Sequence, residues 1–276
     1  MTYSVRGFDV AEVNRDNRGR RIDWKAVGEA GEVQFCGIRV LDGKRPDADG
    51  DYNCEGAASI GLPFLPYQPF YPRIDAKEQA RLFADRVRSL GVKRAAGDFE
   101  VHSNLHPHEY LKLATVYVNE FEQAAGIPMT MYTGVWFGEV FVLPLLKNRD
   151  LWISNPYTPN RPNLPAGITT WRIWQDAWNK SFTGIFDPTV DSDVWNGTYD
   201  EMLAWFGVEG AKPAPVPTTA RMRVTASALN VRSAPIVSAE TARFTARRGQ
   251  TFDVERVDGD WVQVKLWMHR DYLEEI

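Results

Sequence analysis

Eight short apolar runs punctuate the first two-thirds of the chain, at Gly7–Val10, Phe35–Val40, Leu62–Tyr67, Val92–Phe99, Pro128–Tyr132, Leu151–Ile153, Thr170–Trp174 and Thr189–Asp191. Runs this short, bounded by glycine, proline and charged residues, read as buried strands. Helical segments separate the early ones. Asp75-Ala76-Lys77-Glu78 has the form of a helix N-terminal cap with glutamate at the third helical position. Ala80, Phe83, Ala84 and Val87 then recur on one face until Gly91. Pro107 suits a first helical turn, and Tyr110, Ala114, Tyr117, Phe121 and Ala125 continue one face until Gly126. Strands joined through helices pair in parallel, so this α/β pattern predicts a (β/α) barrel, with an open parallel sheet of fewer strands as the alternative. Between Ile153 and Thr170, and between Trp174 and Thr189, proline, glycine and asparagine replace any helical period. The expected barrel is therefore irregular, with full helices around its first half only.

The pattern stops at Glu209–Ala220, a proline- and alanine-rich stretch with no periodicity. It divides the chain into a barrel domain (1–208), a linker (209–220) and a small domain (221–276). The balance of 32 basic and 36 acidic residues gives a net charge of -4, which implies no general affinity for nucleic acid. No stretch approaches the roughly 20 apolar residues of a membrane helix, so no membrane insertion is expected. The opening MTYSVRGFDV lacks a basic region followed by an apolar core, so no signal peptide is expected either.

Candidate chemistry lies at the strand ends. In barrel enzymes the active site forms at the carboxyl ends of the strands. Asp9 closes the first run, Asp98 and Glu100 the fourth, and Asp191 the last, with Asp187 and Asp193 as rivals to Asp191. Residues i and i+2 of a strand share a face, so Asp98 and Glu100 project into one site while Phe99 packs behind them. Paired carboxyls raise one pKa, as a general acid near neutral pH requires. Solvated loop acids are the plainer reading of each taken singly. Tyr67, Tyr132, Trp136, Trp152, Tyr157, Trp174 and Trp195 fall on the same expected rim. Aromatic faces stack on sugar rings, though about half of these rings are expected to be core. Cys36 and Cys54 are expected as buried free thiols, with a disulfide between them as the alternative. His106-Pro107-His108 reads as a loop and helix start rather than a metal site, and no cofactor or metal is expected.

Together these residues resemble the family-25 glycoside hydrolases, lysozymes that cut peptidoglycan between N-acetylmuramic acid and N-acetylglucosamine. The resemblance runs from Gly7 to about Trp205. It rests on Gly7-Phe8-Asp9-Val10, Gly37-Ile38-Arg39-Val40 with Asp42-Gly43, Gly97-Asp98-Phe99-Glu100, Leu151-Trp152-Ile153, Trp174-Gln175 and Val190-Asp191-Ser192-Asp193-Val194-Trp195-Asn196-Gly197. It implies a barrel of five β/α units followed by three strands. It also implies Glu100 as general acid, a charged Asp98 that raises the pKa of Glu100 and orients the substrate's 2-acetamido group for a retaining route, with an inverting route as the alternative, and Asp9 and Asp191 flanking them. Tyr67, Tyr132, Trp152, Tyr157, Trp174 and Gln175 are the candidate substrate contacts. The family usually follows the first aspartate with a serine and then a glutamine; here Val10-Ala11-Glu12-Val13-Asn14 follows, and Asn14 is the candidate stand-in for the glutamine.

In the tail, Leu229–Pro235 and Gly259–Val264, closed by Asp271-Tyr272-Leu273, alternate as short strands and resemble bacterial SH3-like domains that bind cell walls. The whole reads as a peptidoglycan hydrolase of the phage-endolysin kind, made in the cytoplasm and acting on the wall after release. A catalytically inactive wall-binding protein, or a hydrolase of chitin or another N-acetylhexosamine polymer, is the alternative.

Overall fold

Eight strands close the barrel: β1 (Arg6–Val10), β2 (Phe35–Arg39), β3 (Phe64–Pro69), β4 (Ala95–Asp98), β5 (Met129–Gly134), β6 (Leu151–Ser154), β7 (Ile173–Lys180) and β8 (Val190–Trp195). They come from a computed structural model describing residues 5–187, 189–208, 221–232, 242–254, 256–258, 261–264, 267–269 and 273–275. Around the barrel the order is β1-β8-β7-β6-β5-β4-β3-β2. Pairing from β1 to β7 is parallel. β8 alone runs antiparallel to both its neighbours.

Helices α1 (Trp24–Ala30), α2 (Gly50–Ser59), α3 (Ala76–Leu90) and α4 (Pro107–Ala125) follow the first four strands. After β5 comes a helical run in three pieces, Val135–Phe137, the π-helical Gly138–Val142, and Leu143–Leu146. Among the described residues no helix joins β6 to β7 or β7 to β8, so five β/α units precede three strands, and α5 (Tyr199–Phe206) follows β8. Local signals act as the sequence predicts. Asp75 accepts a hydrogen bond from the Glu78 backbone N–H at 2.8 Å, and Gly91 closes α3 at a φ of 67° that favours glycine. Pro107 starts α4, with His106 before it.

Alternation along the strands makes two apolar layers. Outward residues form one layer with the helices, in which Phe70 and Phe99 pack against Tyr117 of α4, Phe8 against Trp24 of α1 and Trp174 against Trp171. Inward residues Phe35, Leu65, Ala96, Trp152, Ile173 and Trp195 fill the interior, together with Trp205 and Phe206 of α5. Cys36 and Cys54 are free and buried, Cys54 within α2. No helix among the described residues is long and apolar enough to cross a membrane.

The chain divides into two units, Met1–Val208 and Glu209–Ile276. The described residues of the second lie largely in strands. Strands 251–253, 221–224 and 273–275 form one sheet, and 242–247, 228–232, 267–269, 261–263 and 256–258 another. Met222, Val224, Leu229, Val231, Ala246, Val254, Val262 and Val264 make its core. The linker 209–220, Ser233-Ala234-Pro235, Gly259-Asp260 and Asp271-Tyr272 lie outside the described residues.

Candidate active site

The carboxyl ends of β1 to β7 open onto a cleft of about 400 Å³. Its lining includes one inward-facing residue from each of these strands: Asp9 of β1, Arg39 of β2, Tyr67 of β3, Asp98 of β4, Tyr132 of β5, Trp152 of β6 and Gln175 of β7. Glu100 follows Asp98 after one outward residue, Phe99, which is fully buried against Phe70 and Tyr117. Asp191 reaches the same rim by another route. It lies at the start of β8, and because β8 is reversed, that start pairs with the carboxyl end of β1, Asp191 opposite Asp9.

Gln175 organises this side. Its Oε1 accepts from the Tyr132 hydroxyl at 3.0 Å, the Ser154 hydroxyl at 2.7 Å and Trp178 Nε1 at 3.1 Å. Indole N–H can only donate, so the amide oxygen must face Trp178 and the amide nitrogen must face the acids. Nε2 accordingly donates to Asp9 Oδ2 at 2.9 Å and Asp191 Oδ2 at 3.1 Å. Trp152 forms the floor, edge-on to Tyr67 and Tyr132, with Nε1 donating to Asp193 Oδ1 at 2.7 Å. Gly37 makes room for it: a Cβ there would lie 2.7 Å from Trp152 Cη2 and 2.8 Å from Asp9 Cβ.

Crowding and burial push these carboxyls up. Burial raises Asp9 to about 6, with Glu100 adding repulsion and the Gln175 bond opposing it. Burial, then Asp9, Glu100 and Asp187, raise Asp191 to about 7. Asp98 is only 6 % exposed, and its Oδ1 has no hydrogen-bond partner among the described residues. Burial, then repulsion from Glu100 and Asp9, lift Asp98 well above the carboxylate range against the pull of Arg39. Glu100 stands at the solvent-accessible mouth and is raised by burial. Both acids of the pair are thus raised, Asp98 at the deeper position and Glu100 at the mouth.

Two expected substrate contacts are not in the cleft. Trp174 alternates with Gln175 on β7, so it faces outward into the helix layer, where Nε1 donates to the Asn155 carbonyl. Tyr157 sits on the loop after β6, outside the cleft lining, exposed and bonded to the Trp178 carbonyl. Of the other aromatics expected on the rim, Trp195 is inward but at the far end of reversed β8, beside Trp205. Trp136 is exposed and packs edge-on to Phe141 outside the lining.

One cleft thus gathers Asp9, Asp98, Glu100 and Asp191, all with raised pKa values, beside Tyr67 and Tyr132. Residues 9–185, more than half of the chain, match Glycosyl hydrolases family 25. The chain belongs to this family. No curated protein sequence matches it. Among solved structures, this family-25 hydrolase is similar to the bacterial lysozyme from Streptomyces coelicolor, at 20 % identity and a TM-score of 0.65 over 75 % of this chain and 98 % of that one. It is similar to the catalytic domain of endolysin ply40 from bacteriophage P40 of Listeria monocytogenes, at 17 % identity and a TM-score of 0.59 over 75 % of this chain and 99 % of that one. The modular autolysin LytC from Streptococcus pneumoniae, solved in complex with synthetic peptidoglycan ligand, shares 19 % identity and a TM-score of 0.59 over 70 % of this chain and 46 % of its own. At these identities the likeness shows a common barrel.

The cleft of this hydrolase is also lined by Arg39 and Tyr71, which sequence reasoning passed over as site residues. Arg39 lines the cleft as the one cation among its described residues, held by Asp47 at 2.7 Å. Its inward parity with Gly37 on β2 was the available signal. Tyr71 lines the wall and donates its hydroxyl to Asp42 Oδ1 at 2.7 Å. Asn14 does reach the cleft, where Nδ2 donates to Asp187 Oδ2 at 3.1 Å. Among the described residues no group of His, Cys, Asp and Glu side chains is placed to hold a metal ion.

Proposed function

We propose that the protein is a peptidoglycan hydrolase, an N-acetylmuramidase that cleaves the β-1,4 bond between N-acetylmuramic acid and N-acetylglucosamine. The observation that carries this reading is the pairing of a deep, unpartnered Asp98 with an accessible Glu100 on one wall of the cleft. A buried carboxylate oxygen without a donor is costly, and the N–H of a substrate 2-acetamido group supplies one. That bond favours the Asp98 anion and moves the pair's proton onto Glu100, where it is needed. Glu100 then protonates the glycosidic oxygen as its bond to the anomeric carbon breaks. The acetamide oxygen attacks that carbon from the opposite face, with Asp98 balancing the positive charge that develops. Glu100, now a carboxylate, takes a proton from the water that opens the cyclic intermediate, giving retention. Asp9 and Asp191, oriented by Gln175, hold hydroxyls of the sugar, and Tyr67 and Tyr132 contact its apolar face.

The strand-rich second unit is read as an SH3-like module that binds the wall and raises the local substrate concentration by tethering. The pairing of the two domains fits an endolysin. Digestion of purified peptidoglycan, borohydride reduction and mass spectrometry of the new ends test the reading. Reduced muramic ends are expected, and Glu100→Gln should abolish them while leaving sedimentation with walls unchanged. Reduced glucosamine ends, or no cleavage by the wild type, would overturn it.

A further inference from the structure

Asp193 belongs to none of the roles above, yet it is the most enclosed acid of the barrel, with no solvent exposure. On β8 it shares the inward face with Asp191, one layer deeper, opposite Gly7. Trp152 Nε1 donates to its Oδ1 at 2.7 Å, while Oδ2 has no donor among the described residues. The acids that share the barrel interior with it are Asp9 on β1 and Asp191 on β8 itself; Asp176 of β7, paired with Arg6 at 3.4 Å, and the Cys36 thiol of β2 lie on the outward faces of their strands. Neither interior neighbour is a cation. A dry carboxylate beside two acids, with one oxygen unserved, is unstable; a neutral carboxyl at the same place is not. Its hydroxyl also has a neighbouring acceptor, because Asp9 is the next inward residue of β1 after Gly7, which lies opposite Asp193.

We propose that Asp193 is a positioning residue that stays protonated while the enzyme works and donates a hydrogen bond from Oδ2 to Asp9. Asp9 is then gripped by two donors, the Gln175 amide and the Asp193 hydroxyl, and remains the anion of the pair. Trp152, fixed by the other oxygen of Asp193, ties the cleft floor to the same group. The inference rests on the hydrolase reading for its consequence in catalysis, though not for the protonation itself.

Asp193→Asn separates a neutral donor from an anion. The amide keeps an acceptor for Trp152 and an N–H for Asp9, so kcat on peptidoglycan should stay within about threefold of wild type, with the acid limb of the pH profile unmoved. Asp193→Leu removes the donor, so kcat should fall by about tenfold or more and the acid limb should move alkaline as Asp9 loses support. If Asp193 were an anion, Asp193→Asn would relieve repulsion on Asp9 and move the limb acid by about one unit, which would overturn the proposal. Wild-type activity in a folded Asp193→Leu would overturn it equally. Infrared difference spectra of wild type against Asp193→Asn give a readout independent of turnover. A protonated-carboxyl C=O band lost in the variant should persist at about pH 8, and its absence there refutes the protonation whatever the substrate. If the band is present and no substrate is cut, the hydrolase reading falls alone.

Discussion

Replacing Gln175 with glutamate changes one nitrogen for one oxygen at the most connected point of the cleft. The residue is 1 % exposed, so the new side chain has no room to turn away. Tyr132, Ser154 and Trp178 still donate to it and hold it in place, and they favour its ionised form. Its second oxygen then faces Asp9 and Asp191, which have lost the donor that approached them at 2.9 and 3.1 Å. Hydrogen bonds to charged groups contribute about 1.5–3 kcal/mol each, so two losses remove about 3–6 kcal/mol from the ionised cleft. At 1.36 kcal/mol per tenfold this is a fall of about 10² to 10⁴ in kcat/KM. The pKa of Asp9 and Asp191 should also rise further, so residual activity should peak at higher pH. Initial rates of reducing-end release from purified walls across about pH 4–8 measure both effects, with circular dichroism confirming the fold. A Gln175→Glu enzyme within about threefold of wild type, on an unshifted profile, would refute the assignment of Gln175 as the clamp of the two aspartates.

Two further outcomes follow from packing and titration. Gly37→Ala should lower stability by about 1–3 kcal/mol, because Trp152 is held by Asp193 and cannot easily retreat from the added methyl group. Scanning calorimetry should show a Tm several degrees lower together with reduced turnover; an unchanged Tm would mean the floor is looser than its hydrogen bond implies. Asp191, raised to about 7, contributes stability that is complete below the ordinary aspartate value of about 3.9 and is lost as pH rises through about 7. Asp191→Asn cannot ionise, so its Tm relative to wild type should climb across that interval, and a flat difference would contradict the burial argument.

The sequence shows periods well and directions poorly, and the acids display both. Alternation alone placed Asp98 and Glu100 on one wall, with Phe99 behind them, and the cap and stop residues of α3 and α4 framed the strands correctly. Parity also contained the answer for Trp174: once Gln175 is inward, its neighbour must be outward. Strand direction is different, because alternation reads the same from either end. The helix-free connection from Lys180 to Val190 leaves open whether the last strand returns parallel or reversed. Only pairing with β1 and β7 decides it, and those contacts are distant in sequence. Reversal has opposite consequences for two acidic pairs that look alike on paper, Asp98-Phe99-Glu100 and Asp191-Ser192-Asp193. On β4, which runs toward the rim, the second acid emerges at the solvent-facing mouth. On β8, which runs away from it, the second acid descends beneath the first to a position without solvent. One motif thus yields a group able to exchange protons with substrate and water, and the other a group with a single durable state. Chain direction separates them, and residue type does not.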